Sequence, residues 1–122
     1  MQRAARRLLI VDDDPAFRAY ARERLHGPLF DVVAEAASSD DAAALAGRQR
    51  AAVALVDARL GGEVGFQAAK RLSELGLVVV MTSVDGSPVY RDLAIAYGAA
   101  GFLSKADLSD DALASILGNQ IE

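Results

Sequence analysis

A doubly wound α/β sandwich is the fold this sequence predicts, on three observations. Short apolar runs alternate with helical stretches five times along 122 residues. Several of those runs are apolar throughout, as strands buried on both faces of a parallel sheet must be. Polar residues follow the runs directly, where an open parallel sheet forms its ligand site.

Residues 8–11 supply the first strand, and residues 30–35 the second, which is less apolar and ends in charge, as suits a sheet edge. Residues 53–56, 77–81 and 101–103 supply the remaining three. Asp14 caps the first helix with Pro15 at its first position. Phe17, Tyr20, Ala21 and Leu25 then stand at core spacing, and Gly27-Pro28 stops the helix. Ser38 or Ser39 caps the second, with Asp40 and Asp41 in its first turn and Gly47 at its end. The third follows Gly65, places Phe66, Ala69 and Leu72 on one face and stops before Gly76. A turn at Asp85-Gly86 leads to Ser87-Pro88, which opens a short fourth helix closed by Gly98. Ser109, Asp110 and Asp111 open the fifth, which ends near Leu117 before Gly118. Right-handed crossovers between these units put helices on both faces of the sheet.

Composition narrows the function. Hydrophobic residues at 52% and charged residues at 25% describe a globular chain rather than a disordered one. A formal charge of −4 argues against direct nucleic-acid contact by this domain, because such contacts neutralise phosphates with basic side chains. Arg3, Arg6 and Arg7 read as a solvated flank. The chain has no cysteine, which excludes disulfides, thiol catalysis and cysteine-ligated zinc, and the lone His26 has no partner for a triad. No apolar run is long enough to span a bilayer and no signal-peptide pattern opens the chain, so a cytoplasmic protein without a membrane partner is expected.

The chemistry gathers at the strand ends. Asp12, Asp13 and Asp14 follow the first strand, Asp57 the third, Thr82 and Ser83 the fourth, and Lys105 the fifth. Asp14 is taken up as a helix cap. Carboxylates brought together at Asp12, Asp13 and Asp57 repel one another, and a hard divalent cation relieves the repulsion. Mg2+ suits such oxygen donors. The same site suits phosphate oxygens, with Lys105 as a second positive charge and the Thr82 hydroxyl as a hydrogen-bond donor. Asp57 is then the carboxylate left to act as nucleophile on a phosphoryl group.

The runs LLIVDDDP, ALVDARLGGEVGF, VVVMTS and YGAAGFLSKAD resemble, in order and across nearly the whole chain, the motifs of response-regulator receiver domains of two-component signalling. Asp13 and Asp57 lie 44 residues apart, Asp57 and Thr82 25, and Thr82 and Lys105 23, which is the spacing of that family. The GFLSKAD run is similar to that of receivers preceding a LuxR-type helix-turn-helix domain. The resemblance implies a flavodoxin-like five-stranded sheet of order 2-1-3-4-5. It also implies Asp57 as phosphoacceptor, Asp12 and Asp13 as the acidic metal pair and the backbone carbonyl of Arg59 as a further Mg2+ ligand. Thr82 and Phe102 would be the switch residues and Lys105 the phosphate counter-ion. The implied phosphodonor is a phosphohistidine on a sensor histidine kinase. The implied output is a phosphorylation-dependent homodimer or an effector domain, reached through the face of the fourth helix, fifth strand and fifth helix. Such a receiver is a switch, limited to self-directed phosphoryl transfer and slow autodephosphorylation. Residues 1–122 read as one receiver domain, either standing alone or continued past Glu122 by an effector domain.

Four positions depart from the family pattern. Gly61 stands where proline is common, and with Gly62 it is expected to loosen the loop beyond Asp57. Ala106 replaces the proline after the lysine, where a cis bond costs about 3 kcal/mol. Ser83 replaces a common alanine, and Phe102 lacks the hydroxyl of the tyrosine often found there. Two other functions compete. One is a small aspartate phosphatase of the haloacid-dehalogenase type, with a D-x-D element within Asp12-Asp13-Asp14. Ala16 and the helix-start position of Asp110-Asp111 argue against it. The other is an interaction module that keeps the fold without being phosphorylated.

Overall fold

The computed structural model describes residues 4–61 and 63–118, so Arg3, Gly62 and Glu122 lie outside the described residues. In chain order the elements are β1 (Arg6–Val11), α1 (Pro15–Arg24), β2 (Phe30–Ala36), α2 (Ser39–Arg48) and β3 (Val53–Asp57). Two-residue strands β4 (Arg59–Leu60) and β5 (Glu63–Val64) come next. They lead to α3 (Gly65–Glu74), β6 (Val78–Ser83), α4 (Pro88–Ala96), β7 (Gly101–Ser104), a 3₁₀ turn at Lys105–Asp107 and α5 (Asp110–Leu117). The main sheet is parallel throughout with order β2-β1-β3-β6-β7. With the small antiparallel β4–β5 hairpin set aside, this is the expected 2-1-3-4-5.

Alternation along the strands divides the core into two layers. Leu9, Val11, Ala54, Val56, Val79 and Met81 face the helices α2, α3 and α4. Leu8, Ile10, Val53, Leu55 and Val80 face Phe17, Ala21 and Leu25 of the α1 side and Leu113 and Leu117 of α5. Apolar on both faces, β1, β3 and β6 occupy the middle. Their register brings the strand ends level: Val11 lies opposite Val56, and Asp57 opposite Thr82.

The caps fall where local chemistry puts them. Asp14 accepts the Ala16 N–H at 2.9 Å, Ser38 the Asp41 N–H at 3.2 Å, Ser87 the Val89 N–H at 3.3 Å and Ser109 the Ala112 N–H at 3.0 Å. Other expectations need correction. Tyr20, placed in the core by its spacing, is 41% exposed. Phe17, Ala21 and Leu25 form an i, i+4 ridge, and Tyr20 sits roughly 100° around the helix from its middle. α1 ends at Arg24, ahead of the Gly27-Pro28 stop. Gly47 lies inside α2; the left-handed residue that follows that helix is Arg50, at φ 53. Arg6 and Arg7 belong to β1 rather than to a flank, and Arg7 donates to the Gln49 carbonyl at 2.9 Å. Gly61 adopts φ 59 in the β4–β5 turn, where Leu60 pairs with Glu63. Proline, confined to φ near about −65°, could not take its place there.

Candidate functional site

Asp12 is 1% exposed, Asp57 7%, Thr82 0% and Ser83 2%, so four polar residues are buried where β1, β3 and β6 end. Asp13 is exposed and completes a group with Asp12 and Asp57 in which one oxygen of each carboxylate lies within 4.8 Å of the others. Lys105 reaches in from the 3₁₀ turn after β7. Its Nζ stands 2.7 Å from Asp12 Oδ2 and 3.3 Å from Asp57 Oδ2. No peptide bond among the described residues is cis, so the ammonium arrives on a trans Lys105–Ala106 bond.

Each group is held by identifiable neighbours. Asp12 Oδ1 accepts the Asp14 N–H at 2.9 Å, and its Oδ2 is left to the close ion pair with Lys105. Asp57 Oδ1 accepts the Arg59 N–H at 3.2 Å. The Lys105 ammonium lies 4.3 Å from the centre of the Phe17 ring, over its face, a cation–π contact that sequence spacing had assigned simply to the core. The Ser83 hydroxyl accepts the Asp85 N–H at 3.1 Å and shapes the turn toward α4. Thr82 Oγ1 has no hydrogen-bond partner although it is fully buried.

Electrostatics follow from this burial. Burial, with the nearby Asp12 charge, raises the Asp57 pKa above its ordinary value, and the Arg59 N–H and Lys105 only partly offset it. Burial also pulls on Lys105, but in the lowering direction. The Asp12 hydrogen bond and the Asp57 and Asp12 charges outweigh it and leave the Lys105 pKa raised. The lysine is therefore a fixed cation at neutral pH.

Five of the residues named from sequence thus converge: Asp12, Asp13, Asp57, Thr82 and Lys105. Arg59 meets them through its N–H on Asp57 Oδ1. Phe102 does not; it is 8% exposed and packs 6.3 Å, centre to centre, from Tyr90 of α4. Tyr90 continues to Phe66 at 6.1 Å, and Phe66 to Tyr97 at 5.6 Å. Sequence reasoning also missed Gly65. A Cβ there would lie 1.9 Å from the Asp57 carbonyl oxygen and 2.8 Å from that of Ala58, so glycine is what lets α3 start against the Asp57 peptide. The sequence marked Gly65 only as the residue at which the third helix begins.

A family model for the response regulator receiver domain matches residues 8–117. The chain belongs to that family. Receiver domains serve phosphorylation-dependent signalling in two-component systems, as switches rather than turnover enzymes. The chain is similar to the signal receiver domain of the response regulator NarL from Mycobacterium tuberculosis. The two are 31% identical over 96% of this chain and 100% of that one, with a TM-score of 0.80. It is similar in fold to a LuxR-family two-component response regulator from Aurantimonas, at 24% identity, 94% and 87% coverage and a TM-score of 0.80. A CheX–CheY–BeF3–Mg2+ complex from Borrelia burgdorferi contains a chain of the same fold, at 17% identity, 98% and 92% coverage and a TM-score of 0.81. No curated protein matches. Among the described residues no helix is long and apolar enough to cross a membrane.

Proposed function

We propose that Asp57 accepts a phosphoryl group from a phosphohistidine on a sensor histidine kinase, and that the chain works as a single receiver domain. The observation that carries this reading is the Thr82 hydroxyl. It is buried, unpartnered and on the residue directly opposite Asp57 in register. A buried hydroxyl without a partner costs about 1–3 kcal/mol. An oxygen added at Asp57 supplies the missing acceptor. Asp12, Asp13 and Asp57, with the Arg59 carbonyl, would hold Mg2+; their clustered carboxylate oxygens fit a hard cation. Bound there, the ion supplies positive charge for phosphate oxygens.

The residues of the chain do the rest. A carboxylate oxygen of Asp57 attacks phosphorus; the P–O bond forms as the P–N bond to the donor imidazole breaks, and the electron pair leaves on nitrogen. Lys105 neutralises charge on the phosphoryl oxygens, and Thr82 turns toward one of them. That movement frees space beside Phe102 and repacks α4 against β7 and α5. Output then passes to a second copy or an effector domain, in the manner of transcription regulators.

Acetyl phosphate with Mg2+ tests the proposal. Intact-mass spectrometry is expected to show one added phosphoryl group on the wild type and none on Asp57→Asn. A labelled Asp57→Asn protein overturns it. Continuous turnover of a phosphomonoester would instead favour the phosphatase reading.

A further inference from the structure

Apart from the ion pair of its Oδ2 with Lys105, Asp12 is tied down by hydrogen bonds at its other polar atoms. Its N–H donates to the Ala36 carbonyl at 2.9 Å, Oδ1 accepts the Asp14 N–H at 2.9 Å, and its carbonyl accepts Nη1 of Arg18 at 2.7 Å. Arg18 is braced in turn. Its Nε donates to Glu35 Oε1 at 3.0 Å, while the other Glu35 oxygen accepts Nε of Arg22. The Arg18 side chain is 20% exposed, so this bridge runs largely beneath the surface from the end of β2 to the end of β1. A planar guanidinium offers separate nitrogens to a carboxylate and a carbonyl in a rigid fork; an ammonium carries its donors on a single atom without that fork.

We infer that Arg18 is a positioning residue: braced on Glu35, it fixes the Asp12–Asp13 peptide and through it the aim of both acidic side chains. The inference rests on Asp12 and Asp13 being the metal pair of the proposed phosphoacceptor site. The Asp12 carbonyl belongs to the peptide plane that leads into Asp13, so one hydrogen bond restrains the backbone between the two carboxylates. Arg22 shares Glu35 without touching Asp12, and so serves as the control.

The full chain carrying Arg18→Ala, Arg18→Lys or Arg22→Ala tests this with two readouts that do not depend on phosphoryl transfer. The first is amide hydrogen exchange at Asp14 in metal-free protein, because that N–H reports the seating of Asp12 Oδ1. The second is Mg2+ affinity by titration calorimetry. Arg18→Ala is expected to speed Asp14 exchange and weaken Mg2+ binding by about tenfold, as loss of an outer partner of a metal ligand does. Arg18→Lys, which keeps the charge but not the rigid fork of donors, falls between, and Arg22→Ala matches the wild type. Wild-type exchange and affinity in both Arg18 variants overturn the inference. Equal losses in Arg18→Ala and Arg22→Ala also overturn it, since they mark a merely structural ion-pair network. Labelling of wild-type Asp57 by acetyl phosphate separates the two claims: if it fails while Mg2+ still binds, the phosphoacceptor reading falls and the Arg18 tether stands or falls on exchange and affinity.

Discussion

On the β1 side of the rim, Asp12 has its N–H, carbonyl and Oδ1 all engaged, whereas on the β6 side Thr82, next to last in its strand, is fully buried with a hydroxyl that bonds to nothing. The helices repeat the contrast. α3 buries Gly65, Phe66, Ala68, Ala69 and Leu72, while in α4 only Ala94 is fully buried and Val89, Leu93 and Ile95 lie exposed. One half of the site is held in place by hydrogen bonds and packing. The other carries an unsatisfied donor beside a lightly anchored helix. A switch needs both: a fixed frame that binds the incoming group, and an element whose energy changes when the group arrives.

Paired truncations challenge this contrast most strongly. Leu72→Ala in α3 is expected to cost about 2–5 kcal/mol in urea unfolding, because the side chain is wholly buried. Ile95→Ala in α4, at a residue 53% exposed, should stay within about 0.5 kcal/mol. The reverse order would dissolve the distinction between the helices. Gly65→Ala comes next, at about 1–3 kcal/mol. Its Cβ meets backbone rather than a side chain that can turn away, so acetyl phosphate labelling of Asp57 should fall with stability.

Thr82→Val sharpens the other half. Removing the orphan hydroxyl at nearly constant volume should leave resting stability unchanged or raise it by up to about 1 kcal/mol. The increase in Tm produced by beryllofluoride with Mg2+ should shrink in the same protein. A resting loss well beyond that range would mean that Thr82 already has a partner. The smallest effects lie in pH dependence, where the halves have opposite signs. Asp57 has a raised folded pKa, so its ionisation weighs against the fold, and metal-free stability should fall as pH rises through that value. Asp57→Asn removes this fall. Glu35, held below its ordinary pKa chiefly by the Arg22 hydrogen bond, contributes stability above the usual glutamate range that is lost as pH drops through the lowered value. Glu35→Gln should flatten that acid limb, modestly, because the Arg22 side chain is 47% exposed.

How much of this could be read in advance differs from residue to residue. The caps Asp14, Ser38, Ser87 and Ser109 were legible because a cap bonds to an N–H two or three residues away. Asp57 and Lys105 were legible because apolar runs announce strands and the polar residues after them mark the rim. The Arg18–Glu35 bridge was not, since the two lie 17 residues apart and nothing in either neighbourhood names the other. Tyr20 misled because helical spacing tells which residues share a face, not how wide a face the sheet covers.

Local propensity and side-chain type were enough to set the alternation of strand and helix, the caps and the choice of residues proposed for phosphoryl chemistry. That Asp57 stands opposite Thr82, that Phe17 underlies Lys105, that Gly65 must be bare and that Arg18 bonds to Asp12 emerged from the folded chain alone. Those facts depend on which strands become neighbours and in what register, and that is settled by the packing of the whole core rather than by any one stretch of chain.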